Sequence, residues 1–363
     1  MKIVGDTVNF IYSAISSSKQ SQGKSTMRVF LITIAALFFL PTAMAEQNLT
    51  LGNSDWPPFI IKGQRQGASE KLVCEALKRA GWNCSVKVYD WDQVLEDARE
   101  GAVDGIAAVW RTPEREEYLL FSEPYLTNRI VPVTAKDSKI FVQKVSDLSG
   151  WRVAMVLGYA YGEEIEKAKS SMKIVPVVGS AQAFKAVQDG KADIALVDDL
   201  VARSQMEIDE GSELTVISAV LAHRELHVAV SQQHPLAEQI ISDFHHHYEI
   251  MLKDGVVNDI LDVDWLATDI GNDGKLDLVL RSGVSFDDLG TPNQQGATYS
   301  LGQSQYQTMS ETDLGGSQVN YFVEGRPYSS LQETLIDAFG KDTVCTKKDY
   351  SSEIDCTKIF QQK

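Results

Sequence analysis

The sequence predicts an α/β protein of two similar lobes with largely parallel sheets, followed by a small β-rich appendage. Three observations carry this. Between Asn48 and about Leu266, strand-like and helix-like segments alternate. The alternation occurs twice, each time as strand, helix, strand, helix, strand, with a turn before the last strand (residues 99–104 and 188–193). Beyond Leu266 the texture changes: residues 269–318 are rich in Gly, Asp, Ser, Gln and Thr and hold only short apolar runs.

The elements follow in order. Residues 49–52 read as a strand, and 68–80 as a helix with Leu72, Val73, Ala76 and Leu77 at helical spacing. Residues 85–89 alternate as a half-buried strand, 91–98 are helical, and 105–109 form a fully apolar strand. In the second half, strands are expected at 152–156, 174–178 and 193–197, with helices at 163–169, 181–188 and 199–206. A strand at 226–230 and a long helix at 235–253 close this part. In open α/β sheets ligands bind beyond the carboxyl ends of the strands. That directs attention to residues 110–115 in the first half and to Asp198 and Asp199 in the second.

The chain has 363 residues, and its first 45 read as a secretory signal peptide. Lys24 and Arg28 precede an apolar run at 29–40, and Ala43-Met44-Ala45 supplies the small-residue cleavage end. Met27 is an alternative start. The run is short for a membrane span. Net charge is −16, and removing 1–45, which holds four cations against Asp6, leaves −19. So acidic a chain is a poor partner for nucleic acid or anionic lipid. Cys74, Cys84, Cys345 and Cys356 all follow the cleavage point, and an even count in an exported chain suggests disulfides. The simplest pairing is local, Cys74 with Cys84 and Cys345 with Cys356.

Six stretches stand in one order: DWPPF (55–59), DGIAAVWRTPER (104–115), FSEPY (121–125), DLSGWRVAMVLGYAY (147–161), VQDGKADIALVDD (187–199) and MLKDGVVNDIL (251–261). Together they resemble the family 3 extracellular solute-binding proteins of the polar-amino-acid type. The resemblance implies a two-lobed periplasmic binding protein fold (type II) with two crossover strands at a Venus-flytrap hinge, near 130–135 and 225–231. Lobe one would be 46–131 with 232–266, lobe two 132–231, and the C-terminal module 267–363. It also implies a ligand set. Arg115 would clamp a carboxylate with its planar fork. Thr112 would add a hydroxyl, or else cap the turn. Asp198 would meet an α-ammonium group, or else cap the next helix, a task for which Asp199 is the better candidate. Gly158 would let backbone amides approach the ligand, with Tyr159 beside it in the site. Trp56 would supply an apolar wall. Trp110 stands where relatives carry a small hydroxyl residue, and Ala160 where many carry a second one. Fewer polar groups then converge on the ligand, and Trp110 adds a stacking face.

In the tail, Asp269, Asp273 and Asp277 with Gly274 resemble a short calcium loop, although Gly271 and Leu280 break the full EF-hand pattern. A plain acidic turn is the alternative. No cofactor is otherwise expected. Residues 319–328 read as a hairpin. His245, His246 and His247 are successive on a helix and cannot converge on one ion.

The leading expectation is a monomeric periplasmic binding protein that takes an amino acid or related carboxylate to an ABC permease. Two rivals remain. One is an enzyme on the same scaffold, of the arogenate or prephenate dehydratase kind, with Asp55, Glu123 and Asp198 as possible acids and bases. The other is a sensing partner of a membrane receptor.

Overall fold

The computed structural model describes residues 47–208, 213–270, 275–283, 298–300, 319–339, 343–347 and 354–358. The expected signal peptide lies outside the described residues. No helix among them is long and apolar enough to cross a membrane.

Ten strands among the described residues share one sheet. β1 (Gln47–Asn53) pairs in parallel with β2 (Trp82–Val88) and β3 (Gly105–Trp110). Helices α1 (Ala68–Arg79) and α2 (Trp91–Glu100) make the crossovers. The order of burial explains the layering. β2 at the edge alternates buried and open residues, whereas β3 is buried at all its positions, as its unbroken apolar run demands. Gly105 opens β3 because a Cβ there would lie 2.2 Å from the carbonyl oxygen of Ala229. A disulfide ties Cys74 on α1 to Cys84 on β2.

After β3 come α3 (Pro113–Glu116), the short β4 (Leu119–Phe121) and the long β5 (Leu126–Ala135). The second lobe then repeats the pattern: β6 (Arg152–Val156), α4 (Glu163–Ala168), β7 (Lys173–Val177), α5 (Ser180–Gln188), β8 (Ile194–Asp198), α6 (Asp199–Ile208) and β9 (Leu214–Val216). β6 pairs in parallel with β7 and β8.

β10 (Ala222–Ser231) returns to the first lobe. It runs antiparallel to β3 and β4 on one side and to β5 on the other, and β5 in turn pairs with β8 and β9. The β5–β10 pair is therefore the seam between the lobes. Both strands are longer than their sequence signals, because 126–129 and 222–225 alternate too little to stand out. The antiparallel pairs β5–β8 and β3–β10 also make the sheet mixed rather than wholly parallel.

Helix α7 (Ala237–Lys253) packs on the first lobe through Ile240, Phe244, Tyr248 and Met251, which recur at helical spacing. Its His245 accepts from the Glu123 amide at 3.0 Å, and among the described residues no three metal-ligating side chains cluster.

A second sheet starts at β11 (Trp265–Thr268) and continues in β12 (Leu276–Leu280), β13 (Thr298–Ser300), β14 (Val319–Val323) and β15 (Arg326–Tyr328), with helix α8 (Val256–Leu261) leading into it and α9 (Leu331–Phe339) following. The expected hairpin at 319–328 is the β14–β15 pair. Period-two alternation gives this sheet two apolar faces. Trp265, Ala267, Leu278, Leu280 and Tyr321 form a core of their own with Leu335. Leu266, Val279 and Phe322 point the other way and join the main core. Last, β16 (Thr343–Lys347) and β17 (Ile354–Lys358) pair antiparallel with Cys345 opposite Cys356, the register that the second expected disulfide needs.

Candidate functional site

The carboxyl ends of the first lobe's strands converge on a narrow pocket of about 20 Å³, room for about one water in this closed form, lined by Asn53, Ser54, Trp56, Trp91, Trp110, Arg115 and Tyr159 among others. Most of this lining comes from the first lobe. Tyr159 comes from the second, three residues past the end of β6. Its ring centroid lies 5.2 Å from that of Trp110, 5.8 Å from Trp56 and 6.2 Å from Trp91, each edge to face. Trp56 and Trp110 also meet edge to face at 5.6 Å. Such pairs are worth about 0.5–1.5 kcal/mol each beyond area burial. Burial raises the Tyr159 phenol pKa, while a hydrogen bond with the Ser54 side chain opposes that rise.

Arg115 is 6 % exposed at the end of this box. Its Nη1 donates to the Trp110 carbonyl at 2.6 Å and its Nη2 to the Gly158 carbonyl at 2.9 Å. The Trp91 indole N–H also points at Gly158 O, at 3.3 Å. One carbonyl of the second lobe thus receives two donors of the first. Gly158 can stand there because its φ is +71° and because a Cβ would lie 3.1 Å from Trp91 Cδ1 and Asp92 Oδ1. Burial lowers the Arg115 pKa. The guanidinium has five N–H donors, so donors remain beyond these two bonds.

Five of the seven sequence-predicted ligand residues, Trp56, Trp110, Arg115, Gly158 and Tyr159, are therefore brought together. Thr112 and Asp198 do not line the pocket. Thr112 caps α3, its Oγ1 accepting from the Arg115 amide at 3.3 Å. It positions Arg115 from behind. Asp198 caps α6: Oδ1 accepts from Leu200 N at 2.9 Å and Val201 N at 3.3 Å, and Oδ2 from Arg129 N at 3.0 Å. The expectation that Asp199 would be the cap is corrected, since Asp199 instead faces Arg129 Nε at 3.3 Å. Asp198 is buried, and burial followed by the charge of Asp199 pushes its pKa up to about 7.

Sequence reasoning missed Ser54, Asn53 and Trp91. Asn53 carries a signal, a polar residue closing an apolar strand; its Oδ1 accepts from Ala108 N at 2.8 Å and so fixes β1 against β3. Of the acids considered for catalysis, Asp55 accepts from Lys62 N, Glu123 is exposed, and neither lines the pocket with Asp198. In the tail, Asp277 is buried, with Oδ2 accepting from Ile270 N at 2.7 Å and Oδ1 from Asn320 Nδ2 at 2.9 Å. Asp269 is described as well, whereas Asp273 and Gly274 lie outside the described residues.

Comparison with known proteins bears on the fold that carries this pocket. Residues 49–151 match the family model of bacterial extracellular solute-binding proteins, family 3. The match covers most of the first lobe and the entry into the second, and there the chain resembles that family. The L-cystine-binding protein TcyA of Bacillus subtilis is 28% identical over 141 residues, which is 39% of this chain and 52% of that protein. The match thus spans about half the length of that relative. The L-cystine-binding protein TcyJ of Escherichia coli is 23% identical over 219 residues, 59% of this chain and 80% of that protein. Among solved structures, an ancestral arginine-binding protein bound to arginine superposes with a TM-score of 0.54 at 23% identity, over 60% of this chain and 97% of that one. The fold is that of the type II periplasmic binding proteins, with an additional small sheet at the carboxyl end.

Proposed function

We propose that the chain is a periplasmic solute-binding protein that captures a small polar ligand, an amino acid or related carboxylate, by hinge closure and hands it to an ABC permease. One observation carries this reading: a buried arginine of the first lobe reaches a backbone carbonyl of the second across an aromatic pocket. An opening about the β5–β10 seam would release that contact and expose the Arg115 fork to a carboxylate. Closure over the ligand would then be favoured by the contacts made only in the closed form. The relatives named above are binding proteins rather than enzymes, and the acids weighed for catalysis do not meet in the pocket.

The test is thermal unfolding against a panel of amino acids, polyamines and small carboxylates, with and without calcium. A ligand at 100 times its Kd adds about 2.7 kcal/mol. A stabilising carboxylate whose effect disappears in Arg115→Ala supports the reading. Stabilisation by a compound without a carboxylate, kept in Arg115→Ala, rejects it. The calcium arm tests the Asp269, Asp273 and Asp277 loop.

A further inference from the structure

Two buried donors beside the pocket have no acceptor. Asn128 on β5 is fully enclosed. Its Oδ1 accepts from Trp110 Nε1 at 2.7 Å, while its Nδ2 has no partner among the described residues. Arg224 on β10 is the residue directly opposite Asn128 in the antiparallel register. Opposite residues of such a pair leave the sheet on the same face, their Cβ atoms about 5 Å apart. The Arg224 guanidinium carbon lies 5.9 Å from the centre of the Trp110 ring. Its Nη2 donates to the Arg111 carbonyl at 3.2 Å, and its Nε is buried without a partner among the described residues. Among the described residues no carboxylate lies within ion-pairing distance of it. Both donors thus flank one indole that is itself a wall of the pocket.

Leaving a buried donor unpaired is costly, and a charged one more so. Two on the same sheet face point to an acceptor that arrives from outside. The charge balance of the cleft agrees. Arg115 and Arg224 are close enough that, after burial, the charge of Arg224 also depresses the Arg115 pKa. The acid that would answer a ligand ammonium, Asp198, already has both oxygens engaged by backbone amides. Glu225 and Glu166 lend Arg224 negative charge only from beyond ion-pairing distance, Glu166 being paired with Lys169, so neither cation of the cleft has a carboxylate bonded to it among the described residues.

We propose that Asn128 and Arg224 form an acid-binding subsite on the hinge strands, so that the ligand carries two acidic groups, one for Arg115 and one for this pair. The ligand class is an acidic amino acid or a short dicarboxylate, with its methylene stem against the Trp110 and Trp56 rings. This rests on the solute-binding reading above and narrows it.

The experiment is titration calorimetry of the purified protein with L-glutamate, glutarate, L-glutamine and L-arginine, repeated on Arg224→Gln and Asn128→Asp. The second variant keeps an oxygen for Trp110 Nε1 and hands Arg224 a carboxylate within the protein. It should melt no lower than the unsubstituted protein, which separates lost binding from lost folding. Glutamate and glutarate should bind about 10- to 100-fold more tightly than glutamine, as a charge-assisted pair requires. Each variant should bring glutamate down to the glutamine level and leave glutamine itself nearly unchanged. If glutamine or arginine binds as well as glutamate, or if the glutamate preference survives in both variants, the subsite is wrong while solute binding stands. If none of the four binds, the subsite is likewise rejected, and solute binding is then decided separately by the wider melting panel.

Discussion

Arg115 Nη2 in the first lobe and the carbonyl oxygen of Gly158 in the second lie 2.9 Å apart, and the same guanidinium holds the Trp110 carbonyl at 2.6 Å. One side chain therefore serves both as the cation of the pocket and as a latch between the lobes. Its replacement should act on both. Arg115→Ala should cost about 2 kcal/mol of stability, since hydrogen bonds from charged groups are worth about 1.5–3 kcal/mol and two carbonyls lose a donor. It should also weaken binding of any carboxylate ligand at least about tenfold. Arg115→Lys should keep the charge but not the fork and recover only part of each. Paired calorimetry and melting would check this. A variant that binds normally but melts low would leave Arg115 as a latch alone.

Gly158 tests the closed arrangement from the other side. Its positive φ disfavours any side chain, and a methyl group 3.1 Å from Trp91 and Asp92 would push both back by a few tenths of an ångström. Gly158→Ala should therefore hold the lobes apart. Scattering in solution should show a larger radius of gyration, and the environment of Trp91 should become wetter, seen as a red shift in emission. Identical scattering from both proteins would mean that the lobes do not close on this contact.

How much of this was legible in the sequence depended on whether a residue's surroundings are local. The buried strand at 105–110 and the helices at 68–79 and 237–253 announce themselves by period and composition. Arg115, Trp56 and Trp110 stand in motifs and line the pocket. Thr112 and Asp198 had two chemically sound roles each, ligand contact or cap, and the choice turns on the direction of one χ angle. Asn128 and Arg224 gave no signal, because their adjacency arises only from pairing strands 96 positions apart. Trp91 was read as an ordinary helix start, since only lobe closure brings Gly158 to its indole N–H.

Asp198 should impose a pH dependence on folding. Its folded pKa is about 7, raised by burial and then by the charge of Asp199, against an ordinary 3.8. The sign follows from proton binding. Between about pH 4 and pH 7 the folded chain keeps this proton while the unfolded chain releases it, so the contribution is full below pH 4 and is lost as pH rises to 7. The slope cannot exceed about 1.4 kcal/mol per pH unit, the value for one proton. Asp198→Asn removes this titration and, at roughly constant cost, one bond to the Arg129 amide. Urea unfolding from pH 4.5 to 8 should give a flatter profile in the variant; parallel profiles would contradict the shift.

The Cys74–Cys84 bridge closes a loop with a sequence separation of 10 between α1 and β2, at the edge of the first lobe. Chain-entropy arguments assign such a loop about 2–3 kcal/mol. The double variant Cys74→Ser, Cys84→Ser should melt several degrees lower without changing ligand specificity, because neither cysteine lines the pocket. Reductant should reproduce at least this loss in the unsubstituted protein, and any further loss it causes in the variant belongs to the expected Cys345–Cys356 pair. A variant as stable as the parent would show the bridge to be dispensable.

The last prediction concerns where the first lobe ends. Composition places a break near Ala267, yet Val279 and Phe322 from beyond it join the main core with Leu266. Asn258, fully buried on α8, donates to the Val279 carbonyl at 2.9 Å and to that of Asp264 at 3.3 Å. Arg281 on the far side of the break bonds both Asp259 and Asp262. Cutting the chain after Leu266 would remove the strand paired with Leu266 and take an acceptor from a buried amide. Exposing even one large apolar side chain costs about 1.5–3 kcal/mol, and the unpaired amide about 1–3 kcal/mol more. A chain ending at 266 should therefore melt far lower than one ending at 363, or fail to accumulate, and the longer chain should unfold with the second sheet in the same transition as the first lobe. Equal melting temperatures, or a separate transition for the tail, would show instead that the small sheet is an independent module.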